Sequence, residues 1–443
     1  MRAFSGLVMA SVILLAGCGD NASLPPEAGY GPNPTLPPPN REWPIPTVEI
    51  AKATGWAAGQ KPIAAPGLKV EAFATGLTHP RWLYMLPNGD ILVAESGAPA
   101  DRPDNSRGIR RWVQRLLMGR AGAAGQNANR ITLLRDSDAN GTVDLKTTFL
   151  EGLYSPFGMA MLDGTFYVGN SNAVMTYLYT DGATTLKGPS RKLLDLPAGT
   201  INRHWTRNLL LSRDGDRLYV AVGSNSNIGE FGMNHEEGRA AIWEVDRLNG
   251  KYRIFASGLR NPNGMDWSPA GTLWTAVNER DEIGGDLVPD YMTSVRDGGF
   301  YGWPYSYYGQ HVDERVQPQR PDLVAKAIKP DYALGAHTAS LGLTFGLGNQ
   351  LGPEYQSGVF IGQHGSWNRR PRHGYRVIFV PFNGGTPAGN GETPAGMPRE
   401  VLTGFIGPDG EARGRPVGVI IDRTGALLVA DDVGNTIWRI TRQ

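Results

Sequence analysis

Gly258-Leu259-Arg260-Asn261-Pro262-Asn263-Gly264, continued by Ala270-Gly271-Thr272-Leu273-Trp274-Thr275, is the stretch that decides the fold. It reads as a loop, an apolar strand, a glycine turn and a second β-rich strand. The unit recurs along the chain. Gly76 to Trp82 leads to Asn88-Gly89 and Ile91 to Glu95, and Gly152 to Gly158 leads to Asp163-Gly164 and Thr165 to Asn170. His204 to Asn208 leads to Asp214-Gly215 and Arg217 to Val220. Leu341 to Phe345 leads, after a longer turn, to Ser357-Gly358 and Val359 to Gly362. Arg415-Pro416-Val417-Gly418 leads to Thr424-Gly425 and Ala426 to Ala430. Asn-Gly and Asp-Gly pairs supply the positive φ that tight hairpins require. The spacing exceeds the roughly 40–50 residues of shorter propeller repeats and leaves room for four strands and a loop. Six such units predict an all-β, six-bladed β-propeller, which hides its sheet edges by closing into a ring. The tail Thr436-Ile437-Trp438-Arg439-Ile440 is expected to pair with Leu68-Lys69-Val70-Glu71-Ala72 and close that ring.

Composition agrees with a β-rich chain: 443 residues include 59 glycines and 33 prolines, with a net charge of +1. That balance offers no basic footprint for nucleic acid. At the start, Arg2 precedes an apolar run from Leu7 to Leu15, shorter than the roughly 20 residues of a spanning helix. Leu15-Ala16-Gly17-Cys18 resembles a bacterial lipobox, which predicts a signal peptide over 1–18 and lipidation of Cys18. The expected location is extracytoplasmic, lipid-anchored and periplasmic. Cys18 is the only cysteine, so no disulfide can staple the exported chain. Residues 19–60 open Pro-rich and read as a tether that buries little, before a propeller domain over 61–443.

In a propeller the loop before each blade's first strand lies at one mouth of the channel. Arg81, Ser155, His204, Arg260, His337 and Arg415 hold such positions, and three arginines with two histidines suit an anionic ligand.

Several blocks, in order, carry a more specific signal. They are Asn202-Arg203-His204-Trp205-Thr206-Arg207-Asn208, Gly258 to Gly264, the acidic run Asn278 to Asp286, and Gly298-Gly299-Phe300-Tyr301-Gly302-Trp303-Pro304. His364-Gly365-Ser366-Trp367-Asn368-Arg369 and Arg413-Gly414-Arg415-Pro416 complete the set. Together they resemble the soluble quinoprotein glucose/sorbosone dehydrogenases, most of all the sorbosone dehydrogenase-like branch, over residues 66 to 442. The resemblance implies a propeller that binds pyrroloquinoline quinone (PQQ) and Ca2+ at one mouth and oxidises a sugar. By it, His204 is the base that takes the proton of the anomeric hydroxyl while hydride passes to the quinone. Arg260 lies near the reacting quinone carbonyl with Asn261 beside it, and Arg413 and Arg415 hold quinone carboxylates. The backbone carbonyls of Glu279 and Arg280 correspond to the protein's share of the calcium site. Electrons would leave to a cytochrome or a membrane quinone.

The chain also departs from the family. Arg203 stands where an acidic residue precedes the base, so another group must orient His204. The quinone-binding lysine has no plain counterpart; Ser366, Asn368 and Arg369 fall in its block, with Arg369 the cationic candidate. Ser155-Pro156-Phe157 replaces a glutamine-bearing loop. Tyr301-Gly302-Trp303-Pro304 reads as packing between blades.

Two local features stand apart. Asp136-Ser137-Asp138-Ala139-Asn140-Gly141 has calcium-loop spacing, but Thr147 replaces the closing glutamate, which leaves an Asx-type turn or a second calcium site. Residues 101 to 129 read as an insertion, with a short amphipathic helix over Ile109 to Met118. Two other functions use the same fold: a metal-dependent lactonase-like hydrolase, which needs several carboxylate and Asn ligands at the mouth, and a binding propeller without catalysis.

Overall fold

The Asp163-Gly164 turn adopts φ of +50° and +68°, and pairs Leu162 with Thr165 across a two-residue hairpin between Met159–Leu162 and Thr165–Gly169. Glycines at positive φ likewise close the turns at Gly89, Gly215, Gly271 and Gly425. Each turn joins the first two strands of one blade.

The computed structural model describes residues 21–40, 47–99, 127–199, 201–383 and 392–443. Among them, six sheets form the blades of a propeller. Blade 1 comprises Pro80–Met85, Ile91–Glu95, Arg130–Arg135 and Leu145–Leu150. Blade 2 comprises Met159–Leu162, Thr165–Gly169, Ala173–Leu178 and Arg191–Asp195. Blade 3 runs Leu209–Leu211, Arg217–Val222, Ala241–Asp246 and Tyr252–Ser257, with Gly299–Phe300 added in parallel. Blade 4 runs Pro262–Trp267, Leu273–Val277, Pro289–Ser294 and Tyr332–Ala336. Blade 5 runs Ser340–Phe345, Gly358–Gln363, Arg376–Asn383 and Arg399–Thr403.

Blade 6 closes the ring. Pro416–Ile421, Leu427–Asp431 and Thr436–Arg442 come from the end of the chain, and Leu68–Ala74 from near its start. Val70 pairs with Ile440, Glu71 with Arg439 and Ala72 with Trp438, which bears out the expected closure.

The glycine that ends the repeated loop has a steric reason. A Cβ on Gly342 would lie 2.1 Å from the Val417 carbonyl oxygen, and one on Gly264 would lie 2.5 Å from the Leu343 nitrogen. First strands therefore abut backbone to backbone around the channel. The apolar cores sit between blades. Phe360 and Phe379 of blade 5, for example, pack with Val419, Val429 and Trp438 of blade 6.

The Pro-rich segment does not behave as a tether that buries little. Tyr30–Gly31 adds an edge strand to blade 4, pairing with Leu334 and Ala333, and the Tyr30 hydroxyl lies 3.0 Å from His373 Nε2. Ala51 is fully buried, and Trp56 Nε1 donates to Asp431 Oδ2 at 2.7 Å. Ile63–Ala64 extends blade 5 through Thr403 and Leu402. Within residues 19–60, two aromatic anchors and one short ladder overcome the composition's preference for an extended, solvated chain. Among the described residues no helix is long and apolar enough to cross a membrane. The helix expected over Ile109 to Met118, the signal peptide and Cys18 lie outside the described residues.

Strand alternation sends the loops before each first strand and after each second strand to one face, the mouth face. The Asp136 to Asp144 loop falls on the opposite face, between the third and fourth strands of blade 1. It is an Asx-type turn: Asn140 N–H and Gly141 N–H donate to the two Asp136 carboxylate oxygens at 3.1 and 2.7 Å. The Asp136, Asp138 and Asp144 carboxylates also cluster within 4.8 Å of one another.

Candidate active site

His204 ends the loop that enters blade 3, and its ring is half-buried. Nδ1 lies 2.8 Å from the Ser224 carbonyl oxygen and 2.9 Å from Ser224 Oγ, which itself donates to the Ser226 carbonyl at 2.7 Å. A carbonyl oxygen only accepts, so Nδ1 carries the hydrogen and Nε2 keeps a lone pair. Burial, then the Arg260 charge, holds the imidazole pKa well below its ordinary value, and the ring is neutral near pH 7. The carbonyl at Ser224 thus does the orienting that the absent acidic neighbour would have done. Arg203, standing in that neighbour's place, pairs instead with Glu230 at 3.0 Å and lies over the Phe231 ring.

Gly223 lets the site close up. A Cβ there would come 2.3 Å from Asn261 Oδ1 and 2.6 Å from His204 Cβ, so these two side chains adjoin across a bare backbone. Asn261 Oδ1 is buried without a hydrogen-bond partner.

Arg260 is 4 % exposed and fully clamped. Nη1 donates to the Glu279 carbonyl at 2.7 Å, Nε to the Asn227 carbonyl at 3.1 Å, and Nη2 to Asn227 Oδ1 at 3.0 Å. Asp281 Oδ2 stands 3.7 Å from Nη2. Asp281 also meets His337 Nδ1 at 3.2 Å and accepts from Asn368 Nδ2 at 2.8 Å. Burial alone would raise this carboxyl, but His337 and Arg260 outweigh it and hold the pKa below the usual range.

A second carboxylate, the buried Asp432, organises the other half of the mouth. Arg81 Nη1 donates to its Oδ2, His364 Nε2 lies 2.9 Å away and His79 Nε2 3.5 Å away. Burial brings the His364 pKa down to about 4 despite that carboxylate. Arg81 reaches across blade 2 to within 5.8 Å of the Trp205 ring, directly beside His204, so residues far apart in sequence do converge. Asp281 and Asp432 were missed by the sequence reading. Asp281 is one of several acids in the run Asn278 to Asp286, and nothing in the spacing of Asp432 marks it.

Arg415 differs from its neighbours. It is 4 % exposed, its Nη2 donates to the Tyr375 hydroxyl at 3.2 Å, and its Nε has no partner. Among the described residues it makes no ion pair with a carboxylate. Leaving a charge buried and unpaired costs several kcal/mol, so this guanidinium fits an anionic guest. Arg413, by contrast, is half-buried with Nε 3.4 Å from Glu411 Oε1.

The expectation at the lysine block changes. Arg369 commits its whole guanidinium, to the Gly285 and Pro371 carbonyls at 2.9 and 2.8 Å and to Asp286 at 3.2 Å, so it braces loops rather than offering a free charge. Asn368 is bound to Asp281, and Ser366 Oγ accepts from the His373 N–H at 3.0 Å, so neither replaces the family lysine's charge. Arg280 is fully buried between Glu279, Asp313 and the carbonyls of Pro304 and Ser306.

The remaining candidates are supports. The Trp303 indole donates to the Asn227 carbonyl at 2.9 Å, so the aromatic signature buttresses the residue that clamps Arg260. Ser155 is buried and its Oγ accepts from Asn127 at 2.8 Å. Trp367 is 38 % exposed.

The residues fit the two expected groups unequally. The unpartnered atoms of Arg81, Arg415 and Asn261 suit a polar, anionic quinone. The Glu279 carbonyl already faces a guanidinium, which opposes a divalent cation there, so that donor set does not fit calcium as it stands. A lactonase-like metal site finds no better donors, because Asp281 and Asp432 are engaged by arginine and histidine. A cavity of 230 Å³ beside the His204 loop is lined by Pro197, Ile201, Asn225, His235 and Arg239 among others, but not by His204 or Arg260.

A family model described as TrAA12-like matches residues 124–293 and 313–443. An uncharacterized protein of Borreliella burgdorferi is 30% identical over 248 residues, 55% of this chain and 62% of its own length. The "Pyrroloquinoline quinone-dependent pyranose dehydrogenase" of Coprinopsis cinerea is 25% identical over 435 residues, covering 85% of this chain and 54% of that protein. The chain thus spans about half to three fifths of the length of these relatives. Among solved structures, the holo PQQ domain of the Coprinopsis cinerea enzyme superposes with a TM-score of 0.68 at 24% identity, covering 89% of this chain and 100% of that one. The calcium structure of the Trichoderma reesei family AA12 enzyme gives 0.67 at 21% identity, covering 90% and 99%. The chain belongs to the TrAA12-like family, within the soluble quinoprotein sugar dehydrogenases that its sequence resembles.

Proposed function

We propose that this chain is a PQQ-dependent oxidoreductase acting on an aldose or related sugar hydroxyl, with His204 as the base. The observation that carries the reading is the His204 ring, held neutral with Nδ1–H donated to the Ser224 carbonyl and Nε2 free to accept. A hydroxyl gives up hydride only as its proton leaves, so a neutral imidazole of fixed tautomer is the group this chemistry needs. PQQ, when bound, would supply the hydride acceptor. Arg415 and Asn261 would hold it, with the clamped Arg260 contributing positive charge beside the reacting centre. Arg260 opposes an imidazolium at His204 and Asp281 favours one, so the base can release its proton after each turnover.

Calcium is given no place at Glu279, whose carbonyl already accepts from Arg260. Lipidation at Cys18 and an extracytoplasmic location are part of the same reading, with a cytochrome or membrane quinone as the eventual acceptor.

The test is quinone titration of the purified protein, followed by dye reduction across a panel of aldoses with calcium added or chelated. Saturable quinone binding with turnover of at least one sugar is expected. Quinone binding without turnover would reduce the protein to a binding propeller, and absence of binding would remove the enzyme reading.

A further inference from the structure

We propose that the mouth face of the propeller lies against the lipid surface, with the anchor holding it there. The inference rests on the lipidation reading of Cys18 and not on the catalytic one. The chain is fixed to the mouth face almost as soon as it leaves that cysteine. Ala22 N–H donates to the Arg370 carbonyl at 2.8 Å. The N–H groups of Ser23 and Leu24 donate to Asp286 Oδ2 at 2.6 and 3.0 Å, and Ser23 Oγ to the same oxygen at 3.2 Å. The fit is close: a Cβ on Gly285 would lie 2.8 Å from the Ala22 nitrogen.

These anchor points sit on the two loops that rim the candidate site. Arg369 ties Gly285 to one loop, Asn368 ties that loop to Asp281, and Glu279 of the other loop receives Arg260. Three residues, 19 to 21, separate Cys18 from Ala22. Four Cα steps span at most about 14 Å. Blade strands of five or six residues put the opposite face about 20 Å farther along the channel axis. A chain this short cannot route round the blades, so the opposite face is held away from the bilayer. Exposed apolar side chains do not choose the face, since Trp367 and Met233 lie on one and Leu248 and Leu347 on the other. Tether length does. The site's opening is thereby turned toward acceptors carried in or on the bilayer.

The test uses the full lipidated chain on vesicles of phosphatidylethanolamine and phosphatidylglycerol doped with an energy-transfer acceptor lipid. With Cys18 acylated no native thiol remains, so single labels can be placed by Asn234→Cys, in the mouth-face loop of blade 3, and by Leu347→Cys, on the opposite face of blade 5. Transfer is expected to be several-fold stronger from position 234. A flexible spacer of about 20 Gly/Ser residues inserted after Cys18 should erase the difference. Equal transfer at native spacing, or stronger transfer from position 347, overturns the proposal, and the second result would also reveal an edge-on propeller resting on blade 5. Failure to incorporate palmitate removes it through the anchor. Dye-linked sugar oxidation by the same samples reports on the catalytic reading separately.

Discussion

His204 and Arg415 make opposite demands on their surroundings, and each can be tested alone. The His204 ring needs only the Ser224 carbonyl and a lone pair at Nε2. His204→Ala should leave quinone affinity intact and lower kcat by about 10²–10⁴-fold, the usual worth of a positioned base; normal turnover would refute the assignment. Because its pKa is depressed, the base stays neutral below the pH at which an ordinary histidine protonates. The acid limb of kcat/KM should therefore fall below about pH 6.5, and a limb above that value would contradict the geometry. Arg415 is a buried cation awaiting a partner, whereas Arg413 already has Glu411. Arg415→Ala should weaken quinone binding by roughly 10–100-fold, the worth of one charge-assisted hydrogen bond. Arg413→Ala should change it far less, and equal losses in a titration of both variants would show that the two arginines act as a pair after all.

The elements that place these residues are held by long-range ties that no local pattern announces. Asp290 joins two mouth loops by accepting from the Glu279 and Ser340 N–H groups at 2.9 and 2.8 Å. Asp431 joins two more, through the Arg415 and Gly434 N–H groups, and ties them to the N-terminal segment and the last strand through the Trp56 and Trp438 indoles. The closing strand should therefore matter twice, for the ring and for the site. Trp438→Ala removes a core side chain of blade 6 and one donor to Asp431, and should cost about 3–5 kcal/mol, read as a lower urea midpoint. Truncation after Asn435 should have a larger effect still, since Leu68–Ala74 then loses its neighbour; an unchanged thermal midpoint would mean the ring closes some other way. The strands and turns were legible because their period and their glycines are local. The ties were not: Trp56 and Asp431 are 375 residues apart, and a tryptophan in a Pro-rich stretch carries no mark of its partner. The same limit hid Ser224, whose contribution to His204 is a backbone carbonyl that any residue would supply.

At the scale of the whole molecule, closure of the ring was legible because six similar units leave few other ways to bury two-sided sheets, but a count of arginines gave a mouth more positive than the one observed. Asp281 and Asp432 each compensate a guanidinium, and burial lowers the pKa of His79, His204, His364 and His373. That pattern sets how stability responds to acid. Asp290 and Asp431 are buried and Asp266 half-buried, all with pKa pushed up to about 6, so in each the folded state binds a proton more readily than the unfolded chain. Their contribution rises as pH falls from about 6 toward the unfolded carboxyl value near 4. Buried histidines act the other way. His364 and His373 fall to about 4 and about 3, and burial lowers His79 and His204 as well, so the unfolded chain takes up protons that the fold refuses once pH drops below about 6.5. His337, raised by Asp281, is the exception and gains on protonation. Between pH 6.5 and 4 the four histidines are partly offset by the three aspartates and by Glu236, whose carboxyl burial also raises, leaving a shallow loss of stability on acidification. Below about pH 4 the aspartates stop compensating, and two carboxylates held low start to be lost: Asp313, at about 2 beside Arg315 and Arg280, and Asp432, lowered by His364, His79 and Arg81. Thermal midpoints should thus decline gently from neutrality to about pH 4 and steeply beneath it. His373→Gln should flatten the gentle part, because it removes one refused proton, and a midpoint that climbs steadily toward pH 4 would show that the raised carboxyls outweigh the histidines.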